Sequence, residues 1–215
     1  MKTLKFYRIV FLGFLGLSLA TTGFDASQAV SASQFQCLWN NGYRFFIARV
    51  YKSYGAVDYT GIQNIKNANS VGWVYTDGYI FPCHSSSCKG AKQQVADAVS
   101  AMRNSGAKFG MVWIDVEIYN WGSNKNYNRQ FILDMVNEVK ALGIKPGIYS
   151  NNNNWASIVG SWTGVSDCPL WWANYNNDPG FGRFVPFGGW SKPAIHQYAG
   201  DVSGPCSVGL DLNYY

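Results

Sequence analysis

Short runs rich in aromatic and β-branched residues alternate with amphipathic helical segments through most of the chain, and this rhythm constrains the fold more than any other feature. Strand-like segments lie at 23–25, 43–51, within 73–81, at 108–115 and at 144–149. Between them fall helix candidates at 33–41, 61–70, 92–104 and 128–142, with a short fifth near Trp155. Val95, Ala98, Val99 and Met102 repeat at i, i+3, i+4 and i+7, as do Ile132, Met135, Val136 and Val139, which is one apolar helix face in each case. Gly42, Gly106 and Gly143 stop three of these helices. The last third changes character: strands at 170–175, 193–198 and 207–212 are joined by Gly- and Pro-rich loops. Parallel strands need a crossover, and helices supply it. The expected fold is α/β, a closed TIM-like (β/α) barrel with a reduced second half, about eight strands and five helices. An open doubly wound sheet is the fallback, but no GxGxxG, GxxxxGK[ST] or GxSxG run is present to give it its usual chemistry.

The sharpest local signal is Met111-Val112-Trp113-Ile114-Asp115-Val116-Glu117. Residues two apart on a strand share a face, so Asp115 and Glu117 project together, with Met111 and Trp113 behind them. They stand at the carboxyl end of an apolar strand, the active end of a barrel of this kind. Neighbouring carboxylates in a partly buried site repel, and one keeps its proton. Such a pair can protonate a glycosidic oxygen and stabilise the positive charge that follows. D-x-E alone is weak. Asp25 follows Gly23-Phe24 on the first strand, and Asp211 follows Val208-Gly209-Leu210 near the end of the last. First and last strands are neighbours in a closed barrel, so four acids would converge from a chain that has only 12.

Residues 1–20 read differently from the rest. Lys2, Lys5 and Arg8 lead an apolar run ending at Ser18-Leu19-Ala20, the pattern of a secretory signal peptide, and too short to span a membrane. Residues 21–215 then form a single catalytic domain, secreted to the outside or to a lysosome-like vesicle, with no later membrane span and acting as a monomer. Losing the leader lowers the formal charge from +5 to +2, and no Lys/Arg cluster remains to suit nucleic acid. Aromatics make up 17%, against 13% charged residues, an excess suited to stacking on sugar rings. Five cysteines on a secretory route predict disulfides. Cys83 and Cys88 would close a small ring, Cys168 and Cys206 would tie two late segments, and Cys37 would stay buried and unpaired, although other pairings are open. Cys83-His84-Cys88 has no zinc-like spacing, so no metal and no cofactor are expected.

With these residues in place, the chain resembles the glycoside hydrolase family 25 lysozymes, especially their branch in amoebae and nematodes. The resemblance rests on GFDAS at 23–27, FIARVY at 46–51, DGYIFPC at 77–83, MVWIDVE at 111–117, KPGIYS at 145–150, PLWWANY at 169–175, PFGGWSKPAIHQYAGDV at 186–202 and VGLDLNYY at 208–215, in order along the chain. It implies a shortened β/α barrel and hydrolysis of the β-1,4 bond between N-acetylmuramic acid and N-acetylglucosamine in bacterial peptidoglycan. It implies Glu117 as general acid and then base, Asp115 orienting the acetamido group or stabilising the charge it acquires, and Asp25 and Asp211 shaping and polarising the site. Tyr79, Tyr149, Trp172, Asn174 and Gln197, at or near strand ends, are candidate substrate-binding residues, whereas alternation turns His196 away. A non-catalytic sugar-binding protein of the same fold and a chitin hydrolase are the competing readings.

Overall fold

The computed structural model describes residues 21–215. The proposed leader, 1–20, lies outside the described residues. Nine strands and five α-helices follow in the order β1 (Thr22–Ala26), α1 (Ala32–Asn40), β2 (Phe45–Lys52), β3 (Ala56–Val57), α2 (Tyr59–Ser70), β4 (Thr76–Ile80), α3 (Ala91–Asn104), β5 (Met111–Asp115), α4 (Lys125–Ala141), β6 (Lys145–Ser150), α5 (Asn152–Val159), β7 (Leu170–Ala173), β8 (Ile195–Ser203) and β9 (Gly209–Tyr214), among the described residues. Eight strands form the barrel in the order β1-β9-β8-β7-β6-β5-β4-β2, closed by parallel pairing of β1 with β2. β3 is a ninth, two-residue strand antiparallel to the end of β2, too short to be read from the sequence.

Helix starts follow local chemistry. Ser31 and Gln34 form a capping box at α1, and Asp58, Asn124 and Asn151 accept backbone N–H groups at the starts of α2, α4 and α5. The predicted apolar faces of α3 and α4 are buried against the outside of the barrel.

Period-2 alternation divides each strand between two cores. Phe46, Ala48, Val112, Ile114, Ile148 and Trp172 face the helices. Phe45, Ile47, Trp113, Tyr149, Trp171, Ala173 and Ile195 fill the barrel. The interior is narrow. Trp113 occupies it because Gly147 on the adjacent strand has no side chain; a Cβ there would collide with the indole. Asp77 anchors that indole, accepting Trp113 Nε1–H at 2.9 Å and Met111 N–H at 2.8 Å.

Two expectations need correction. First, β9 is antiparallel to both β1 and β8. The β8–β9 connection is a hairpin around a 3₁₀ turn, Pro205–Ser207, with no crossover helix to reverse the direction. Asp211 therefore sits near the start of its strand, paired with Asp25. Second, Cys206 is bonded to Cys37, and Cys168 is the buried free thiol. Cys168 precedes β7 and Cys206 follows β8, so they lie at opposite ends of parallel strands. Cys37, on α1, faces the 3₁₀ turn because β1 and β9 bring the chain's ends together. The Cys83–Cys88 ring is present and uses both thiols that a metal at Cys83-His84-Cys88 would need. Among the described residues no helix is long and apolar enough to cross a membrane.

Candidate active site

The inward-facing positions at the open end of the barrel carry polar groups where those below are apolar. Asp25, Arg49, Tyr79, Asp115, Tyr149, Gln197 and Asp211 occupy them, with Glu117 two residues past the end of β5. Together with Phe81, Trp171 and Tyr175 they line a cavity of about 140 Å³. All four predicted acids are present in it. Asp25 and Asp115 are buried, and Glu117 and Asp211 are half-buried.

Gln197 organises one wall. Its Oε1 accepts from Tyr149 OH at 2.6 Å and Tyr175 OH at 3.0 Å. Its Nε2 donates to Asp25 Oδ2 at 2.8 Å and Asp211 Oδ2 at 3.4 Å. Asn213 Nδ2 donates to the same Asp25 oxygen at 2.7 Å, while its Oδ1 accepts Trp171 Nε1–H at 2.7 Å. The backbone N–H of Asp201 donates to Asp211 Oδ1 at 2.6 Å. Asp115 is different: it makes no hydrogen bond among the described residues, and its Oδ1 is fully buried.

Burial and crowding of like charge favour the protonated forms in this cluster. Burial pushes Asp25 well above the usual carboxylate range, helped by the charge of Asp211 and opposed by the Asn213 and Gln197 amides. Burial, then Glu117 and Asp25, raise Asp115 strongly. Burial followed by Asp211 raises Glu117. Asp211 is itself raised by burial, against the pull of the Asp201 N–H. All four carboxyls are thus shifted the same way, towards the protonated form. Glu117 combines a raised pKa with partial exposure, the properties of a proton donor.

The other predicted positions separate. Tyr79, Tyr149 and Gln197 are in the mouth, but both ends of the Gln197 amide are already spent on protein groups. Trp172 turns outward, its ring stacked on His196 at 4.2 Å, and with Asn174 it lines an adjoining groove of about 560 Å³. That groove shares Glu117, Tyr149 and Tyr175 with the mouth and carries Asn151 to Asn154 on its far side. A second arm of about 250 Å³ leads away past Asp25, Tyr79 and Asp211. Two grooves thus meet the barrel mouth and share lining residues with it. His196 is buried and structural, with Nδ1 at 2.6 Å from the Gly180 carbonyl and Nε2 at 2.9 Å from that of Asn174. Sequence reasoning missed Arg49, Tyr175 and Asn213. Arg49 was findable, because Phe45, Ile47 and Arg49 alternate on one strand face; Tyr175 lies beyond the end of β7 and left no such signal.

Known proteins share this chain's sequence and fold. The family model described as "Lysozyme-like protein 1" matches residues 18–198. The chain is 45% identical over 213 residues to Lysozyme-like protein 5 of Caenorhabditis elegans, covering 98% of this chain and 99% of that one. It is 38% identical over 207 residues to "Probable GH family 25 lysozyme 2" of Dictyostelium discoideum, covering 96% of each. The structure of a family GH25 lysozyme from Aspergillus fumigatus superposes with a TM-score of 0.70 at 21% identity, covering 91% of this chain and 93% of that one, which establishes the shared fold.

Proposed function

The chain belongs to the glycoside hydrolase family 25 lysozymes, and from that premise we propose that it cuts the β-1,4 bond between N-acetylmuramic acid and N-acetylglucosamine in bacterial peptidoglycan, in defence against bacteria or in their digestion. It is a lysozyme-type glycoside hydrolase; the substrate bond and the residue roles are the proposal. The observation that carries them is the pairing of a half-buried Glu117, its pKa raised by burial and by Asp211, with a buried Asp115 that no donor among the described residues satisfies, where two grooves meet the barrel mouth.

Glu117 gives its proton to the glycosidic oxygen as the bond to the anomeric carbon breaks. An acetamido N–H on the sugar meets the Asp115 carboxyl where it lines the mouth, which fixes the group so that its carbonyl oxygen attacks the anomeric carbon from the opposite face. Glu117, now ionised, takes a proton from water as that water opens the cyclic intermediate and restores the acetamide. Asp25 supports a protein-nucleophile route less well, because one of its oxygens is already held by two amides. The Asp25–Asp211 wall instead shapes and polarises the reacting centre. A secretory leader at 1–20 would deliver the enzyme to bacteria outside the cell or in a vesicle.

Purified peptidoglycan digested by wild type should release muropeptides ending in reducing N-acetylmuramic acid. Glu117→Gln should lower the rate roughly 10²- to 10⁴-fold. Products ending in reducing N-acetylglucosamine, or a Glu117→Gln variant as fast as wild type, would refute the assignment. Chitin cut as fast as peptidoglycan would favour the chitin hydrolase, and binding without cleavage the sugar-binding protein.

A further inference from the structure

The mouth holds one cation among its four carboxyls. Arg49 is the last inward residue of β2, and its guanidinium is fixed from behind: Nε donates to Asp58 Oδ2 at 2.8 Å. Asp58 is fully buried. It also accepts the Thr60 N–H at 3.2 Å at the start of α2 and lies 3.5 Å from Lys52 Nζ. Two cations thus share one buried carboxylate, and the cluster keeps net positive charge. None of the mouth acids comes within ion-pair distance of Arg49. Its two Nη groups meet no acceptor among the described residues. Elsewhere Arg44, Arg103 and Arg129 each spend Nη groups on backbone carbonyls.

A buried counter-ion for Asp58 would need only Nε. The fork left over is the geometry that receives a carboxylate through two parallel N–H bonds. Resting on the muramidase reading, we infer that Arg49 is a specificity-determining residue whose Nη pair binds the carboxylate that the lactyl arm of N-acetylmuramic acid presents in glycan strands freed of stem peptide. That arm is what distinguishes this sugar from N-acetylglucosamine. A mouth lined by Asp25, Asp115, Glu117 and Asp211 repels an anionic sugar unless one corner compensates. Arg49 supplies that corner and sets the sugar's orientation relative to Glu117.

The test uses three substrates: glycan strands stripped of stem peptides by an amidase, the same strands with their lactyl carboxylates converted to methylamides, and stem-bearing peptidoglycan. Reducing-end release gives kcat/KM for each. Wild type should prefer acid strands over amidated ones by roughly 10- to 100-fold, the range of a charge-assisted hydrogen bond. Arg49→Gln should bring that ratio close to one, and Arg49→Lys should leave it intermediate. An unchanged ratio in Arg49→Gln overturns the inference. So does a loss confined to stem-bearing wall, which would place the recognised anion in the peptide. Should Arg49→Gln fail to fold, the wild-type ratio decides, and a value near one overturns the inference. Wild type inactive on all three overturns the muramidase reading, and the inference with it.

Discussion

Removing the Cys37–Cys206 bond should cost this protein far more stability than its surface position suggests. The bond links residues 169 apart and pins α1 to the turn that leads into β9, the strand that completes the barrel and carries Asp211 and Asn213. In the chain-entropy picture a closed loop of that length restricts the unfolded chain by about 5 kcal/mol. Both cysteines are only half-buried, so serine at each position adds little desolvation cost. For a domain of this size each kcal/mol moves the melting temperature by roughly 2–4 °C, so Cys37→Ser/Cys206→Ser should melt about 10–20 °C lower. Activity at 25 °C should persist, since neither cysteine lines the cleft. Calorimetry in non-reducing buffer measures the shift. A thiol count on unfolded, unreduced wild type should find one free cysteine, identified as Cys168 by peptide mass mapping. A melting point within about 4 °C of wild type would refute the loop-entropy reasoning, and a free Cys37 would refute the pairing itself.

Asp211→Asn removes the neighbouring charge that helps hold the proton on Glu117, so the basic limb of the kcat/KM profile should move to lower pH; a limb that stays put or moves up would contradict that coupling. His84 lies between Trp121 at 3.7 Å and Phe131 at 4.5 Å, both ring nitrogens buried and without a hydrogen-bond partner among the described residues, and burial pushes its pKa from 6.5 down to about 4. The unfolded chain therefore takes up this proton first, and stability is lost as pH falls from about 6.5 towards 4. His84→Phe should reduce the drop in melting temperature between pH 7 and pH 4.5 by a few degrees, and an unaltered drop would show that His84 does not contribute.

Much of the architecture was legible because strand alternation and helix periodicity are local. Gly23 to Asp25, Phe45 to Arg49, Met111 to Asp115 and Tyr149 each obey a period of two, which any reader of the chain can count. Asp115 and Glu117 were legible together because two residues separate them. Asp25 and Asp211 were legible only through the assumption of closure, which the β1–β9 pairing provides. The direction of β9 was not legible: a strand's own residues do not say which way its neighbour runs, and only the hairpin connection settles it. Disulfide partners were misread for a related reason. Spacing along the chain says nothing about which end of the barrel a loop occupies, and Cys168 and Cys206 occupy different ends.

The sequence alone thus determined the elements, their inward faces and the acids available for chemistry, since each depends on residues a few positions apart. Tertiary structure decided what those acids are. Burial, the Gln197 and Asn213 amides and the charge of Asp211 arrive from distant strands, and it is their combined field that sets which carboxyl holds its proton and leaves Arg49 facing the cleft.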